Sequence, residues 1–399
     1  MSALSPTPSK GLVLQWRGNR FYLDTVLLLT ALALLLFGYV MVASASLHLG
    51  DKLASDSFYF PRHQLIHIAF GLVAGVMAAS VKLETLRNYS LRLFFFGLLL
   101  LVLVLIPGIG KVVNGSSRWI NLLGVRIQVS EVFKVIAVIY MASFIDRHID
   151  VVRTSYQGMV RPFILLTVAA VLLLKEPDFG ATAVIVSVAL GMLFLAGASL
   201  WQFGLLMGIM AGGGVMLILT AKYRLRRVLS FLDPWDDPLN SDFQLSQALI
   251  AFGRGEWSGV GLGSSIQKMF YLPEAHTDFL FSVIGEELGL LGTTSVILLF
   301  MILVWRAFAI GKLAEQSGTR FSAFLAYGIG IWFGLQSFIN MGVNMGLLPT
   351  KGLTLPLMSY GGGSIMVMCA ALALLFRVRS DAIAAVSAKP RVRATWQNM

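Results

Sequence analysis

The 399-residue chain is 57% hydrophobic and 13% charged, with a formal net charge of +11 and a mean hydropathy of +0.79. That balance excludes a soluble domain, whose surface is about one-quarter charged, and reads as an integral membrane protein. The basic excess sits in tails and short loops, where anionic lipid is the expected partner; no basic stripe with interleaved aromatics points to a nucleic acid.

Crossing a hydrocarbon core takes about 20 apolar residues. Ten such runs are read in chain order, near 24–46, 64–81, 91–107, 130–145, 161–174, 179–197, 201–221, 279–305, 322–347 and 360–376. The predicted fold is therefore an all-α polytopic membrane protein with ten transmembrane helices. A tail, 1–23, precedes the membrane domain of 24–376, a large loop, 222–278, joins the seventh and eighth helices, and a second tail, 377–399, follows. The first residues lack a cleavable-signal pattern and read as leading into an uncleaved anchor. The fourth and fifth runs are short, the fifth closed off by Lys175-Glu-Pro-Asp178, and short helices in a bundle often border a cavity.

Orientation follows from Lys and Arg in the short loops, which resist translocation. With the N-terminus inside, the inner loops carry Arg87, Arg147, Arg153, Lys312, Arg320 and Arg377 among others, and these outnumber the outer set of Lys52, Arg62, Lys111, Arg118, Arg126, Lys175 and Lys351. Both termini are thus expected in the cytoplasm and the 222–278 loop outside.

Several chemistries are missing from the sequence. The single Cys369 lies inside the last run and the five histidines lack zinc-site spacing. There is no Walker loop, Gly259-Val-Gly261-Leu-Gly263 reads as loop, and no internal repeat is evident. Energy for any reaction must arrive with the substrate.

The polar residues near the outer side carry the functional signal. In Leu272-Pro-Glu-Ala-His-Thr-Asp-Phe279, Asp278 stands before an apolar helix, where a carboxylate is costly and either serves function or caps the helix. Glu131 and Lys134 share a helical face, as substrate groups or as a self-neutralising pair. Asp178 lies at a helix junction and by itself reads as a turn or helix-cap residue before a functional group. Gln336, Asn340 and Asn344 form a polar stripe that reads as packing glue or substrate path. Glu286 and Glu287 lie inside the eighth helix, and at least one must face protein or water. Pro349-Thr-Lys-Gly-Leu-Thr-Leu-Pro356 and Ser359-Tyr-Gly-Gly-Gly-Ser364 open the last helix. Ser359, Gly361, Gly362 and Lys351 there could receive an anionic headgroup, or the small residues could serve close packing. The apolar Ala248–Phe252 within the large loop reads as an interfacial segment or as a small loop core.

These motifs together resemble the SEDS family (shape, elongation, division and sporulation) along nearly the whole membrane region. The matches are Asn114-Gly-Ser-Ser-Arg-Trp-Ile120, Ser130-Glu131 with Lys134, Glu176-Pro-Asp-Phe-Gly180, Pro273–Phe279 followed by Gly285-Glu-Glu-Leu-Gly289, and Leu355-Pro-Leu-Met-Ser-Tyr-Gly-Gly362. Asp233-Pro-Trp235, Ala251–Gly255 and Pro273–His276 resemble the division branch more than the elongation branch. Val129 and Gly363 depart mildly from the family pattern, where Pro and Ser are common.

The resemblance implies a peptidoglycan glycosyltransferase that polymerises lipid II for septal wall synthesis at the cytoplasmic membrane. Asp278 would be the base, and Lys134, Arg118 and Lys351 candidates for the donor pyrophosphate. Glu131 and Asp178 would orient groups or hold a divalent cation, Mg or Mn. It also implies as partners a class B penicillin-binding protein, an FtsI-like transpeptidase, and other divisome proteins. A lipid II flippase and a non-catalytic divisome scaffold remain rival readings, but clustering of the polar groups near one side favours the enzyme.

Overall fold

The computed structural model describes residues 12–16, 19–113, 116–122, 125–220, 225, 231, 233–235, 243–269, 271–349 and 352–388. Among them are eleven helices: α1 (Thr25–Ala54), α2 (Tyr59–Ser80), α3 (Leu83–Leu105), α4 (Val129–Thr154), α5 (Tyr156–Lys175), α6 (Phe179–Leu195), α7 (Leu200–Leu219), α8 (Phe243–Gly255), α9 (Leu280–Ser317), α10 (Arg320–Asn344) and α11 (Gly362–Ala388). Eight of these, α1, α2, α3, α5, α7, α9, α10 and α11, are long and apolar enough to cross a membrane; α6 is apolar with 17 residues. α4 carries its charges inward, burying Glu131 and Lys134.

Helix limits follow local chemistry. Asp24 caps α1 by accepting from Leu27 N at 3.0 Å, and the helix runs on past the apolar stretch to Ala54 with most of its last residues exposed. Within it Ser46 Oγ satisfies itself on its own helix, donating to Val42 O at 2.7 Å. α4 and α5 are not short, at 26 and 20 residues. Their polar ends continue as helix outside the apolar stretch, with Asp146 of α4 accepting from Arg87 Nε at 2.5 Å. Pro162 lies in the second turn of α5, beyond the first four N–H groups that lack partners, so it removes one i→i−4 bond near the start of the helix.

α9 is two helical segments separated at Gly289, whose φ of 61° and ψ of −154° suit glycine alone. The break frees N–H groups that bond elsewhere: Leu290 N donates to Glu256 O at 2.9 Å and Leu291 N to Trp257 O at 3.2 Å. In return Val260 N and Gly261 N donate to the carbonyls of Glu286 and Glu287, each at 3.0 Å. The chain after α8 is therefore stitched onto α9. α8 lies so close that a Cβ on Gly255 would come within 1.8 Å of Gly285 O, which only glycine avoids. Phe252 of α8 packs on Phe281 with ring centroids 5.7 Å apart. The Ala248–Phe252 stretch accordingly faces the protein core through Ala248 and Ala251.

The all-α reading is corrected in two places. β1 (Val13–Trp16) and β2 (Asn19–Tyr22) form an antiparallel hairpin within the first tail, tied to α11 by Tyr22 N donating to Ser380 Oγ at 3.2 Å. Between α3 and α4, β3 (Lys111–Val113), β4 (Ser116–Leu122) and β5 (Val125–Gln128) form an antiparallel sheet in that order. Short runs rich in β-branched and aromatic residues, parted by Arg17-Gly18 and Leu123-Gly124, carry the sequence signal for both hairpins. β5 packs on the start of α11, where a Cβ on Gly363 would lie 2.9 Å from Ile127 Cα. The sheet thus carries Arg118 to within electrostatic reach of Asp278.

Candidate active site

Asp278 closes a run of tight turns leading into α9. Leu272 N donates to Gln267 O at 2.8 Å, Thr277 N and Phe279 N both donate to Glu274 O, and Tyr360 N donates to His276 O at 2.9 Å, locking this segment to the one before α11. The backbone of Asp278 is gripped from α10: Asn340 Nδ2 and Asn344 Nδ2 donate to its carbonyl at 2.8 and 2.9 Å. Its side chain does not cap α9, whose N-cap is Phe279 without a side-chain bond. No described residue hydrogen-bonds its carboxylate, which is half-buried. Gly352 packs against it, with a Cβ there only 3.2 Å from Oδ2. Desolvation pushes Asp278 up to about 7, helped by Glu274 and Asp178 and opposed by Arg118. A carboxylate so poised exchanges a proton near neutral pH.

Arg118 of β4 spans to the α5–α6 junction, its Nε donating to Glu176 O at 3.0 Å and its Nη2 to Pro177 O at 2.5 Å. Asp178 does cap α6, accepting from Ala181 N at 3.1 Å through Oδ1. Its Oδ2 also accepts from Ser130 Oγ at 2.8 Å and Gln128 Nε2 at 3.2 Å, so this carboxylate ties α4, β5 and α6 together. Glu176 is fully buried with both carboxylate oxygens unpartnered among the described residues. Burial first, then Asp178, pushes it up to about 9 against the pull of Arg118. Sequence reading quoted Glu176 only within a motif and gave it no role; its place between Lys175 and Asp178 was the available signal.

Glu131 and Lys134 form the expected pair, Nζ donating to Oε1 at 2.7 Å, with both side chains buried. The pair is not closed on itself. Lys134 Nζ also donates to Gln336 Oε1 at 2.6 Å and lies 5.5 Å from the centre of the Trp332 ring. Gln336 Nε2 in turn donates to Thr354 O at 3.0 Å, and Asn340 Nδ2 to Leu353 O at 2.6 Å. The polar stripe of α10 is thus a rack that fixes two backbone segments, one carrying Asp278 and one beginning at Gly352.

The remaining candidates divide. Lys351 lies outside the described residues. Ser359 is used locally, its Oγ accepting from Leu355 N at 2.9 Å. Gly362 meets His67, whose Nε2 would lie 2.7 Å from an added Cβ, whereas Gly361 meets only Ser364 Cβ at 3.6 Å. Glu286 and Glu287 are buried and fully engaged around the 265–268 segment. A divalent ion is not fitted by Glu131 and Asp178: one is paired with Lys134, the other saturated by three donors, and no group of three His, Cys, Asp or Glu gathers among the described residues.

The sequence profile of a family described as cell cycle proteins, FtsW/RodA/SpoVE, matches residues 24–383. A probable peptidoglycan glycosyltransferase FtsW of Methylococcus capsulatus is 72% identical over 384 residues, 96% of each chain. That of Coxiella burnetii is 49% identical over 356 residues, 89% of this chain and 95% of its own. Among solved structures, a chain from work on structural coordination of polymerization and crosslinking by a peptidoglycan synthase complex superposes with a TM-score of 0.71 at 27% identity, covering 90% of this chain and 98% of that one. The rod shape determining protein RodA of Thermus thermophilus superposes with a TM-score of 0.66 at 24% identity, covering 90% and 97%, a likeness of fold.

Proposed function

The chain belongs to the FtsW/RodA/SpoVE family of cell cycle proteins, and on that premise we propose that it polymerises lipid II outside the cytoplasmic membrane with Asp278 as general base. It is a peptidoglycan glycosyltransferase. The observation that carries the role of Asp278 is a half-buried carboxylate lifted to about 7, without a hydrogen-bond donor among the described residues, on a backbone held by Asn340 and Asn344.

The 4-hydroxyl of the acceptor GlcNAc attacks the anomeric carbon of the donor MurNAc. Its proton passes to Asp278, the new C–O bond forms, and the bond to the polyprenyl pyrophosphate breaks with its electron pair leaving on the phosphate. One displacement inverts the α link to β, and the pyrophosphate supplies the driving force. Arg118 lies close enough to act electrostatically on Asp278, which makes it the described cation best placed for the developing pyrophosphate charge. Lys134 supports from below through Gln336.

With α4 and α6 added to the eight long apolar helices, the bundle reads as ten spans. Together with the basic-residue count this supports cytoplasmic termini, an outer 222–278 loop and an outer active site. The resemblance to a polymerising and crosslinking complex supports a class B penicillin-binding protein as partner, and the division-branch motifs support work at the septum.

The test is to incubate the purified chain with lipid II in detergent, alone and with its transpeptidase partner. Glycan polymer is expected, and detergent offers no membrane to cross, so polymer separates a polymerase from a flippase. Absence of polymer with the partner present overturns the reading.

A further inference from the structure

Far from Asp278, at the opposite end of α9, the bundle holds an open polar cavity. The starts of α3 and α10 and the ends of α4, α6 and α9 enclose about 1130 Å³. Its wall carries four cations, Arg87, Arg153, Lys312 and Arg320, against two carboxylates, Asp146 and Glu315. Both carboxylates are occupied: Asp146 accepts from Arg87 Nε at 2.5 Å and Glu315 from Tyr327 OH at 3.1 Å. Arg153 is steadied by one bond, Nε to Ala196 O at 2.9 Å, leaving the outer nitrogens of its guanidinium available. Lys312 and Arg320 are exposed and have no hydrogen-bond or ion-pair partner among the described residues. The cavity therefore holds uncompensated positive charge in a fixed frame.

The rest of its wall is apolar. Leu195, Trp305, Phe308 and Phe324 line it, and Trp305 is 62% exposed on the flank of α9. An indole in that position, beside Arg306 at 5.2 Å, suits the headgroup level of a bilayer. A bare inorganic anion would use the cations and leave the aromatic wall idle. A phospholipid uses both, the phosphate among the cations and the upper acyl chains against Trp305 and Phe308.

We propose that this cavity is a binding site for an anionic phospholipid, with Lys312 and Arg320 as its main phosphate contacts and Arg153 behind them. Basic residue counting places this end on the cytoplasmic side, whose leaflet is the anionic one. A lipid held there bridges the α9–α10 turn at Gly318 to the end of α4, clamping the inner ends of helices whose outer ends carry Asp278 and Lys134. The site is independent of the reaction assigned to the outer side.

Each cation near such a headgroup is worth about 1 kcal/mol, or roughly five-fold in affinity. The experiment is native mass spectrometry of the delipidated full chain with added dioleoyl phosphatidylglycerol or dioleoyl phosphatidylcholine, for the parent, Lys312→Gln and Lys312→Gln/Arg320→Gln. The parent is expected to retain phosphatidylglycerol in preference to phosphatidylcholine. That preference should fall roughly five-fold in the single variant and roughly 25-fold in the double, while melting without lipid stays unchanged, since neither side chain supports the fold. Equal retention of both lipids by the parent, or an undiminished preference in the double variant, overturns the proposal. Displacement of phosphatidylglycerol by millimolar inorganic phosphate would show that the cations read the bare anion, and would overturn a lipid as the occupant.

Discussion

Asp278 and the Glu286-Glu287 pair lie on one short stretch of chain and meet opposite treatment. Glu287 accepts from Ser44 Oγ at 2.8 Å and from Lys268 Nζ at 2.6 Å. Glu286 accepts from Ser265 Oγ, the amides of Ile266 and Gln267, and Arg254. Asp278 is given a firmly held backbone and no donor for its carboxylate. Carboxylates whose oxygens are all engaged serve structure; one on a rigid backbone, half-open to solvent and without a donor among the described residues, is free to take a proton from something else. The fold carries the cost of the second kind so that chemistry has a base.

The sharpest way to break that contrast is to remove the basic oxygen. Asp278→Asn keeps volume and should fold, while polymer formation falls by about 10²- to 10⁴-fold, the usual range for general-base loss. The check is a lipid II polymerisation assay with the partner present. Near-parental yield would make Asp278 another structural carboxylate and erase the distinction.

The saturated side of the comparison should fail by a different route. Lys268→Met leaves Glu287 charged and buried without its cation, a change that costs about 3–5 kcal/mol, whereas Lys268→Met/Glu287→Gln should regain most of it. Apparent melting temperatures of the two variants, with activity normalised to folded protein, test this. A double variant as unstable as the single one would mean that the packing of 265–268, not the ion pair, holds the loop on α9.

Glu131 and Lys134 fall between these extremes, since the pair is buried yet Lys134 also serves Gln336. Glu131→Gln or Lys134→Met alone should destabilise. The double change should restore melting but not activity, because Gln336 loses the donor that sets its hold on Thr354. Recovery of both together would reduce the pair to self-neutralisation.

Much of the helical fold and the candidacy of Asp278 were legible in the sequence, and the reasons differ by residue. Hydrophobic run length finds the eight described helices long and apolar enough to cross a membrane, because a bilayer imposes that length, although α4 shows that inward charges can hide a helix's full extent. Asp278 stood out because a lone carboxylate beside an apolar run is costly. What could not be read was which carboxylates are satisfied: Glu287 finds Ser44 and Lys268 far away in the chain, and only the fold brings them together. The break at Gly289 was equally hidden, since a glycine in an apolar helix is unremarkable until the backbone shows a φ of 61°. The strands around Arg118 went unread because short alternating runs are overshadowed by the helices beside them.

The gentlest test uses stability alone. Asp278 has a folded-state pKa of about 7 against an ordinary value of 3.8, so the folded chain holds this proton more tightly than the unfolded one. Stability is then greatest at low pH and is lost as pH rises from the ordinary carboxylate range through about 7, because the half-buried site solvates the charge less well than water does. Asparagine at this position never ionises. Asp278→Asn should therefore melt above the parent at about pH 8, with the gap closing by about pH 4, while activity moves the opposite way. Scanning melting temperature against pH for both proteins checks it. A gap that is absent at high pH would mean that Asp278 is solvated or paired in solution, and the site would lose the unsatisfied carboxylate on which its chemistry rests.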